Sequence, residues 1–571
     1  MELGKIVEHD VLVVGAGLAG LGAAIEARQQ GRKVCVLTLV NPVRSHTVAA
    51  QGGINAPLGN HPEGQDDSVD RHAFDTIKGS DYLADQDTVE LMISRAPERI
   101  IELEHWGTPF SRFDSGKIAQ RPFGGAGFPR TCFAADKTGH LIMHTLYEKA
   151  IREQIQILED RMVVKIIAKE GEVQGAVTWN LVTGDIEGHA AKTVVIATGG
   201  AGMLFSRSTN SIHSTGYGMA IAYWEGIPIE DMEFIQFHPT SLYGTNLLLS
   251  EAARGEGAYL VNKDGDRFMA RYAPEAMELA PRDIVSRSIQ TEVNEGRGIE
   301  NEYVFLDLRH LGKERILERL PQIRELALCF AGRDMITDHV PVQPGQHYTM
   351  GGVECDINGE TRISGLFAAG EAACVSVHGA NRLGGNSLLE CAVYGKIAGE
   401  NASEVASKKG SVSASYVQNE VSVEKERIHA LVDKDGSIGC GPIRNELRDA
   451  VFRYTGVYRN KENLSKGLTI IRDLKSKYSD IKLSSNSLRF NLELLNAITL
   501  KGMLDLAEII TLGALERAES RGSHSRTDYP KREDKNWLKH TLAFYQGEGM
   551  PPKLDYKPVT ITKWEPKART Y

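Results

Sequence analysis

Three glycines at G-x-G-x-x-G spacing, Gly15, Gly17 and Gly20, separate the apolar run Val11-Leu-Val-Val14 from a small-residue stretch, Leu21 to Gln30, and Val34-Cys-Val-Leu37 follows. Four consecutive apolar residues running into glycine read as a buried strand, and the small-residue stretch reads as a helix able to pack closely on it. Strand, glycine turn, helix and strand in this order open a dinucleotide-binding α/β fold. The turn Gly15-Ala16-Gly17-Leu18-Ala19-Gly20 lets the backbone approach a pyrophosphate, and the helix N-terminus supplies positive dipole. The second strand ends on Thr38, where a nicotinamide site would carry an acid for the ribose. The cofactor class must come from residues further along.

Two more apolar runs end in glycine: Thr193-Val-Val-Ile-Ala-Thr198 before Gly199, and Gly365-Leu-Phe-Ala-Ala369 before Gly370-Glu371. Three such strands, far apart in sequence, predict one sheet interrupted by an insertion. The 571 residues exceed the roughly 250–300 that one core accommodates, so several domains are expected. The fold class read from this pattern is α/β. A Rossmann-like dinucleotide-binding domain is expected over 1–236 and 346–405, with an inserted α+β capping domain over 237–345. A helical domain over 416–520 and a small C-terminal domain over 521–571 follow. Asn401 to Ser415, rich in Ser, Lys and small residues, reads as the linker. Beyond it, Leu447, Val451 and Tyr454, then Leu464, Leu468 and Ile471, then Leu492, Leu495, Leu506 and Ile510 recur at helical intervals.

The net charge of −9 argues against nucleic acid as a partner. No run of about 18 apolar residues encodes a membrane helix. Met1 to Asp10 is charged and enters the first strand directly, without the layout of a secretory signal. The seven cysteines, at 35, 132, 329, 355, 374, 391 and 440, form no CxxC, so no metal or iron–sulfur ligation is expected here.

The segment Arg44-Ser45-His46-Thr47-Val-Ala-Ala-Gln51-Gly52-Gly53 resembles the flavin-attachment segment of the succinate dehydrogenase and fumarate reductase flavoproteins. Taken alone, a histidine in a polar loop is more often a solvated side chain. The resemblance implies instead that His46 carries FAD covalently through its 8α-methyl group. In that family a hydroxyl-bearing residue often replaces the ribose acid, which accounts for Thr38. Thr198-Gly199-Gly resembles the family's flavin-contacting turn, and Gly365 to Glu371 resembles its third flavin motif, with Glu371 on a ribose. Asn386-Ser387-Leu388 begins a helix whose N-terminus would face the flavin and stabilise the charge of its reduced form.

A small dianion needs cationic or donor groups at both ends, a base for one proton and a hydride acceptor. Five dispersed segments offer such groups: Gln236 to Thr240, Ser250 to Glu256, Pro281 to Asp283, Gln346 to Gly352, and His378 to Ser387. From the residues alone the reading stops at a cationic dicarboxylate pocket beside a flavin. The resemblance, which spans nearly the whole chain, implies that His238, His347 and Arg382 bind the carboxylates. It makes Arg282 the proton donor and acceptor, with Glu251 and Arg254 as its relay. Ser250 stands where threonine is usual and keeps the hydroxyl. His213-Ser-Thr-Gly-Tyr-Gly-Met219 departs from the family's Thr-Gly-Asp-Gly run, which puts one secondary flavin contact in doubt.

The implied reaction removes a hydride from one methylene of succinate and a proton from the other. Implied partners are succinate and fumarate, an iron–sulfur protein subunit, and membrane anchor subunits with quinone. The place implied is the cytoplasmic face of the cell membrane, reached through those partners. L-aspartate oxidase, a soluble relative with similar segments, lacks the linking histidine, so His46 argues against it. A non-catalytic flavoprotein subunit is opposed by the intact set His238, Arg282, His347 and Arg382.

Overall fold

In the computed structural model, which describes residues 6–569, the three strand-to-glycine junctions lie side by side. Val7–Val14 sits between Val34–Leu37 and Ile186–Ile196, parallel to both, with Val11 opposite Val34 and Thr193. Leu366–Ala368 pairs parallel with the end of Ile186–Ile196, Leu366 opposite Val194. This register brings the glycine turns that follow all three strands to one edge of the seven-stranded sheet. The carboxyl edge of parallel strands is where ligands bind in open α/β sheets. Val11, Leu12 and Val13 have no exposure, as parallel strands covered on both faces require. Of the charged N-terminal segment, Met1 to Lys5 lie outside the described residues.

The helix Leu18–Gln29 packs along Asn386–Lys408 through small residues. That second helix contradicts the linker expected at Asn401 to Ser415: it continues to Lys408, and the next helix, Ala414–Val432, begins six residues later. The Ser, Lys and small composition belongs to a half-solvated helix. Ala402, Ser403 and Ala406 are buried, with the Ser403 hydroxyl accepting from Arg32 Nε at 3.0 Å. Small residues here signify close approach of a neighbour rather than flexibility.

The insertion builds its own four-stranded sheet, from Ile235–Leu242, Tyr259–Val261, Val304–Asp307 and Val340–Thr349, and its own apolar core around Leu242, Leu260, Val285, Leu306 and Val342. The chain enters and leaves it on one antiparallel ribbon, Ile235 opposite Thr349, Gln236 opposite Tyr348 and His238 opposite Gly345. Residues expected at a boundary, 236–237 and 345–346, are thus mid-strand. The helix Arg282–Asn294 is fastened to the ribbon by Ser286 Oγ, which donates to the Phe237 carbonyl at 2.8 Å.

Four helices, Ala414–Val432, Cys440–Tyr454, Lys461–Tyr478 and Leu492–Glu516, follow. In the tail, Lys539–Phe544 pairs with Lys553–Pro558 and with Ile229–Glu230, which stitches the C-terminus into a five-stranded sheet beside the main body. Upstream, Ser523 donates through its backbone N–H and its hydroxyl to the Ala380 carbonyl, each at 2.9 Å. The Gly522 carbonyl accepts from Arg287 at 2.8 Å. The tail therefore clasps both the loop that carries Arg382 and the helix that begins at Arg282.

Candidate functional site

One continuous cavity runs from the glycine turns to the inserted domain. At one end its wall is Gly15, Ala16, Gly17, Leu18, Ala19 and Thr38. A Cβ on Gly15, whose φ is +107°, would stand 2.3 Å from the Ala197 carbonyl oxygen. Gly20 does not line the cavity; a Cβ there would stand 2.0 Å from the Gly15 carbonyl oxygen, so its role is the close fit of helix on turn. The Thr38 hydroxyl donates to the Val40 carbonyl at 2.7 Å while the residue faces the cavity.

Ser45, His46, Thr47, Gln51, Gly52 and Gly53 form the next stretch of wall, opposite Thr198, Gly199 and Glu371. The Ser45 and Thr198 hydroxyls are buried with no partner, and an orphaned buried hydroxyl is costly. Burial pushes the Glu371 carboxyl up to about 8, while the Thr349 N–H donates to it at 3.0 Å. Unpaired hydroxyls, a proton-holding carboxyl and a glycine-lined helix start fit a ligand with a pyrophosphate and ribose hydroxyls, as FAD has. His46 opens on the cavity, and burial pushes its imidazole down to about 4, so it is neutral.

Ser387 and Leu388 line the cavity, but Asn386 does not. Its Oδ1 accepts from Asn55 at 2.8 Å and meets His72 at 3.0 Å, and its Nδ2 donates to Thr76 at 2.9 Å. The residue preceding the helix is Gly385, at φ +84°, so the asparagine braces the scaffold behind the helix start.

The far end is built on the ribbon. His238 and His347 come from paired strands and meet edge to face, ring centroids 4.9 Å apart. Arg282 donates from Nε to Glu251 at 2.8 Å and from NH1 to Gln236 Oε1 at 3.0 Å. Arg382 donates to the same Gln236 oxygen at 3.0 Å, and its guanidinium lies 4.3 Å from the Tyr348 ring centre. Gln236, on the ribbon beside His238, is thus the hinge between the two arginines. It fell inside a quoted segment but was not singled out. Arg254 lies behind Glu251, 3.7 Å from it and out of the cavity. Burial raises the Glu251 carboxyl, but Arg282 and Arg254 bring it below its usual range.

Burial, reinforced by Arg282, Arg254 and Arg382, holds His238 well below the usual imidazole range. Burial and the His238 ring do the same for His347, with Arg282 and Arg382 adding to them. The Thr240 N–H donates to His238 Nδ1 at 3.2 Å, which places the single proton of the neutral ring on Nε2, a buried donor with no partner. Ser250 Oγ accepts from the Ala252 N–H at 3.2 Å, leaving its own hydroxyl proton for a ligand. Gln51 spans the two ends of the cavity: its Oε1 accepts from the Ser250 N–H at 3.2 Å and its Nε2 donates to the Leu248 carbonyl at 3.3 Å. The wall also holds the run from His213 to Gly218, where the sequence departs from the family's pattern, and Thr209 and Ser211, which sequence reasoning passed over; the run of small polar residues Ser208-Thr-Asn-Ser211 soon after Thr198-Gly-Gly was the available signal.

The FAD binding domain family model matches residues 10–388 and the fumarate reductase flavoprotein C-terminal model matches 444–571. The succinate dehydrogenase flavoprotein subunit of Rickettsia conorii is 44% identical, across 98% of this chain and 96% of its own. The chain belongs to the succinate dehydrogenase/fumarate reductase flavoprotein family. It is a flavoprotein that uses FAD, an oxidoreductase acting on a CH–CH bond. The fumarate reductase flavoprotein subunit of Haemophilus influenzae is 43% identical, covering 99% of this chain and 97% of its own. An E. coli quinol fumarate reductase chain superposes with TM-score 0.96 at 41% identity over 99% of both chains. An adenylylsulfate reductase of Archaeoglobus fulgidus, at 18% identity and TM-score 0.80, shares the fold alone. The L-aspartate oxidase reading gives way to this membership.

Proposed function

We propose that this flavoprotein interconverts succinate and fumarate with FAD joined covalently to His46, and that Arg282 moves the proton. The observation that carries the reading is a local excess of charge. Three guanidiniums, Arg254, Arg282 and Arg382, converge where one carboxylate, Glu251, is in direct contact with any of them; Glu278, nearby, is taken by Arg267. Three cations against one anion leave room for two negative charges, which is a dicarboxylate. The His238 Nε2–H, the Ser250 hydroxyl, His347 and Arg382 are donors for its two carboxylates.

FAD, when bound, supplies the hydride acceptor. Every other part of the step belongs to the chain. Arg382 and the two histidines hold the substrate, and binding it in a water-poor pocket strengthens each of these contacts. Arg282, fixed at two points by Glu251 and Gln236, takes the proton from the second methylene. Arginine is an unusual base, since its free pKa exceeds about 12. Its fixed position serves the geometry, and its charge stabilises the negative charge that develops. Glu251 and Arg254 behind it return the proton. Fumarate reduction reverses the same steps on the same residues.

No helix among the described residues is long and apolar enough to cross a membrane. Electrons are passed on to an iron–sulfur subunit and a quinone-binding membrane anchor at the cytoplasmic face of the cell membrane. Similar solved chains come from a quinol–fumarate reductase with menaquinol, at 41% identity, which supports this route. The test is made on purified, acid-precipitated protein from a cell that supplies FAD. Flavin fluorescence staying with the polypeptide and mass spectrometry placing it on the His46 peptide are expected, together with succinate-dependent dye reduction. Flavin that washes off, or a His46→Ser variant that keeps covalent flavin, overturns the linkage.

A further inference from the structure

Of the three guanidiniums at the substrate end, Arg282 and Arg254 touch Glu251, while Arg382 forms no ion pair among the described residues. Its NH2 donates to Gln236 Oε1 at 3.0 Å, its Nε is buried without a partner, and its guanidinium lies 4.3 Å from the Tyr348 ring centre. The charge that answers it stands one layer back. Glu390, on the helix Asn386–Lys408, is 2% exposed and takes no part in the cavity wall. The Tyr348 hydroxyl donates to Glu390 Oε2 at 2.5 Å, and His378 Nε2 lies 3.0 Å from the same oxygen.

A carboxylate only accepts, so both contacts are donations to the acid and the His378 ring carries a proton on Nε2. Burial, with the charges of Glu390 and Glu371, pushes the Tyr348 phenol far above its ordinary range, so the hydroxyl keeps the proton it donates. Three segments thus end on one carboxylate: the ribbon through Tyr348, the loop of Arg382 through His378, and the helix that starts beside the cavity. A cation over an aromatic face is drawn by the negative face of the ring. Donation to an anion polarises the phenol, so Glu390 both fixes the plane of the ring and deepens its attraction for the guanidinium. A carboxylate in direct contact would hold Arg382 as firmly, but would occupy the N–H donors that a substrate carboxylate needs. Acting through the ring leaves those donors open.

We propose that Glu390 is a positioning residue for dicarboxylate binding: through the Tyr348 hydroxyl it holds the ring on which Arg382 rests, and through His378 the loop that carries Arg382, so that the guanidinium is aimed before substrate arrives. The proposal rests on the reading of Arg382 as a carboxylate binder.

The test measures KM and kcat for succinate and for fumarate in Glu390→Gln, Tyr348→Phe and the double variant, with flavin content read from the absorbance of native protein. Glutamine keeps the shape of the acid and removes its charge; phenylalanine keeps the ring and cuts its link to the acid. Each single variant is expected to raise both KM values about tenfold, the order of one desolvated cation–π contact, with kcat within about threefold of wild type and flavin content unchanged. Because the two residues act in series, the double variant is expected to be no worse than the more affected single one. Additive losses, about a hundredfold together, overturn the proposal, as do unchanged KM values or a loss confined to kcat. Where Glu390→Gln does not fold, Tyr348→Phe decides alone on the same criteria. Loss of flavin from a folded variant also overturns it, by making the network a support of the whole cavity. Arg382→Gln separates the proposal from the reading beneath it. A raised KM there beside unchanged values in the other variants overturns the proposal alone; an unchanged KM there overturns Arg382 as a carboxylate binder, and the proposal with it.

Discussion

Replacing Glu251 with glutamine keeps the shape of the side chain and removes the one carboxylate that touches two of the three guanidiniums. In the native site it accepts from Arg282 Nε at 2.8 Å and from the Gly124 N–H at 2.6 Å, with Arg254 at 3.7 Å. Two roles predict losses of different size. If the carboxylate only orients Arg282, a charge-assisted bond worth about 1.5–3 kcal/mol becomes a neutral one worth about 0.5–1.5. The difference of about 1–2 kcal/mol lowers the rate about five- to thirtyfold. If it also hands on the proton, general acid–base catalysis goes too, at about 10²–10⁴. The expected result for Glu251→Gln is a fall of about 10³ in both succinate-dependent dye reduction and fumarate-dependent oxidation of reduced viologen. Covalent flavin should be retained. Dicarboxylate binding, followed by flavin absorbance, should be unchanged or tighter, because one negative charge has left the pocket. A loss smaller than about thirtyfold with normal flavin content would remove Glu251 from the relay and leave it a brace for Arg282.

Ser250→Thr restores the family's usual residue and should leave steady-state rates within about twofold of wild type, whereas Ser250→Ala removes a helix cap and the proposed substrate donor and should raise KM for succinate about tenfold. Tyr348→Phe keeps the ring beneath Arg382 but deletes the hydroxyl that donates to Glu390 at 2.5 Å; the loss of a buried bond to a charged group should destabilise the chain by about 1.5–3 kcal/mol in thermal unfolding. Burial works against the charge on His540, but Asp231 and Glu230 raise its imidazole to about 10, with Asp85 on its other face. A folded pKa above the unfolded value of 6.5 means stabilisation fully present below about pH 6.5 and lost as pH rises toward 10. Unfolding midpoints should therefore fall across that window, and His540→Asn should flatten the slope; a flat wild-type profile would refute the assignment.

What the sequence made legible is local, and what it hid depends on register. A strand running into glycine is written in consecutive residues, so the three junctions at Gly15, Gly199 and Gly370 were readable, and parallel pairing of Val11 with Thr193 and of Val194 with Leu366 then gathers them. That His238 and His347 touch follows only from a ribbon in which residues more than a hundred positions apart pair, with register irregularities beside Phe237 and after His238. Gln236 was missed for the same reason: its oxygen matters because two arginines from separate segments end on it. Asn386 was grouped with Ser387 and Leu388 because all three begin one helix, but consecutive residues of a helix start face different ways, and His72, Asn55 and Thr76 claim the asparagine's amide. The linker at Asn401 misled because composition does not say which face of a helix is covered.

Charge follows the same logic. A chain with net charge −9 repels a dianion at long range, yet at one end of its cavity two guanidiniums in the wall and a third behind them meet one contacting carboxylate. Solvent screens the surface charges beyond about 8–10 Å at physiological ionic strength, and burial strengthens the inner ones. The overall balance therefore governs solubility, and the few buried arginines govern which ligand enters. Because Gln236 ties Arg282 to Arg382, the group proposed to move the proton and the group proposed to grip the carboxylate cannot shift independently. A dicarboxylate bound a fraction of an ångström out of place would pull both from register, which is how a pocket built from so few side chains couples recognition to chemistry.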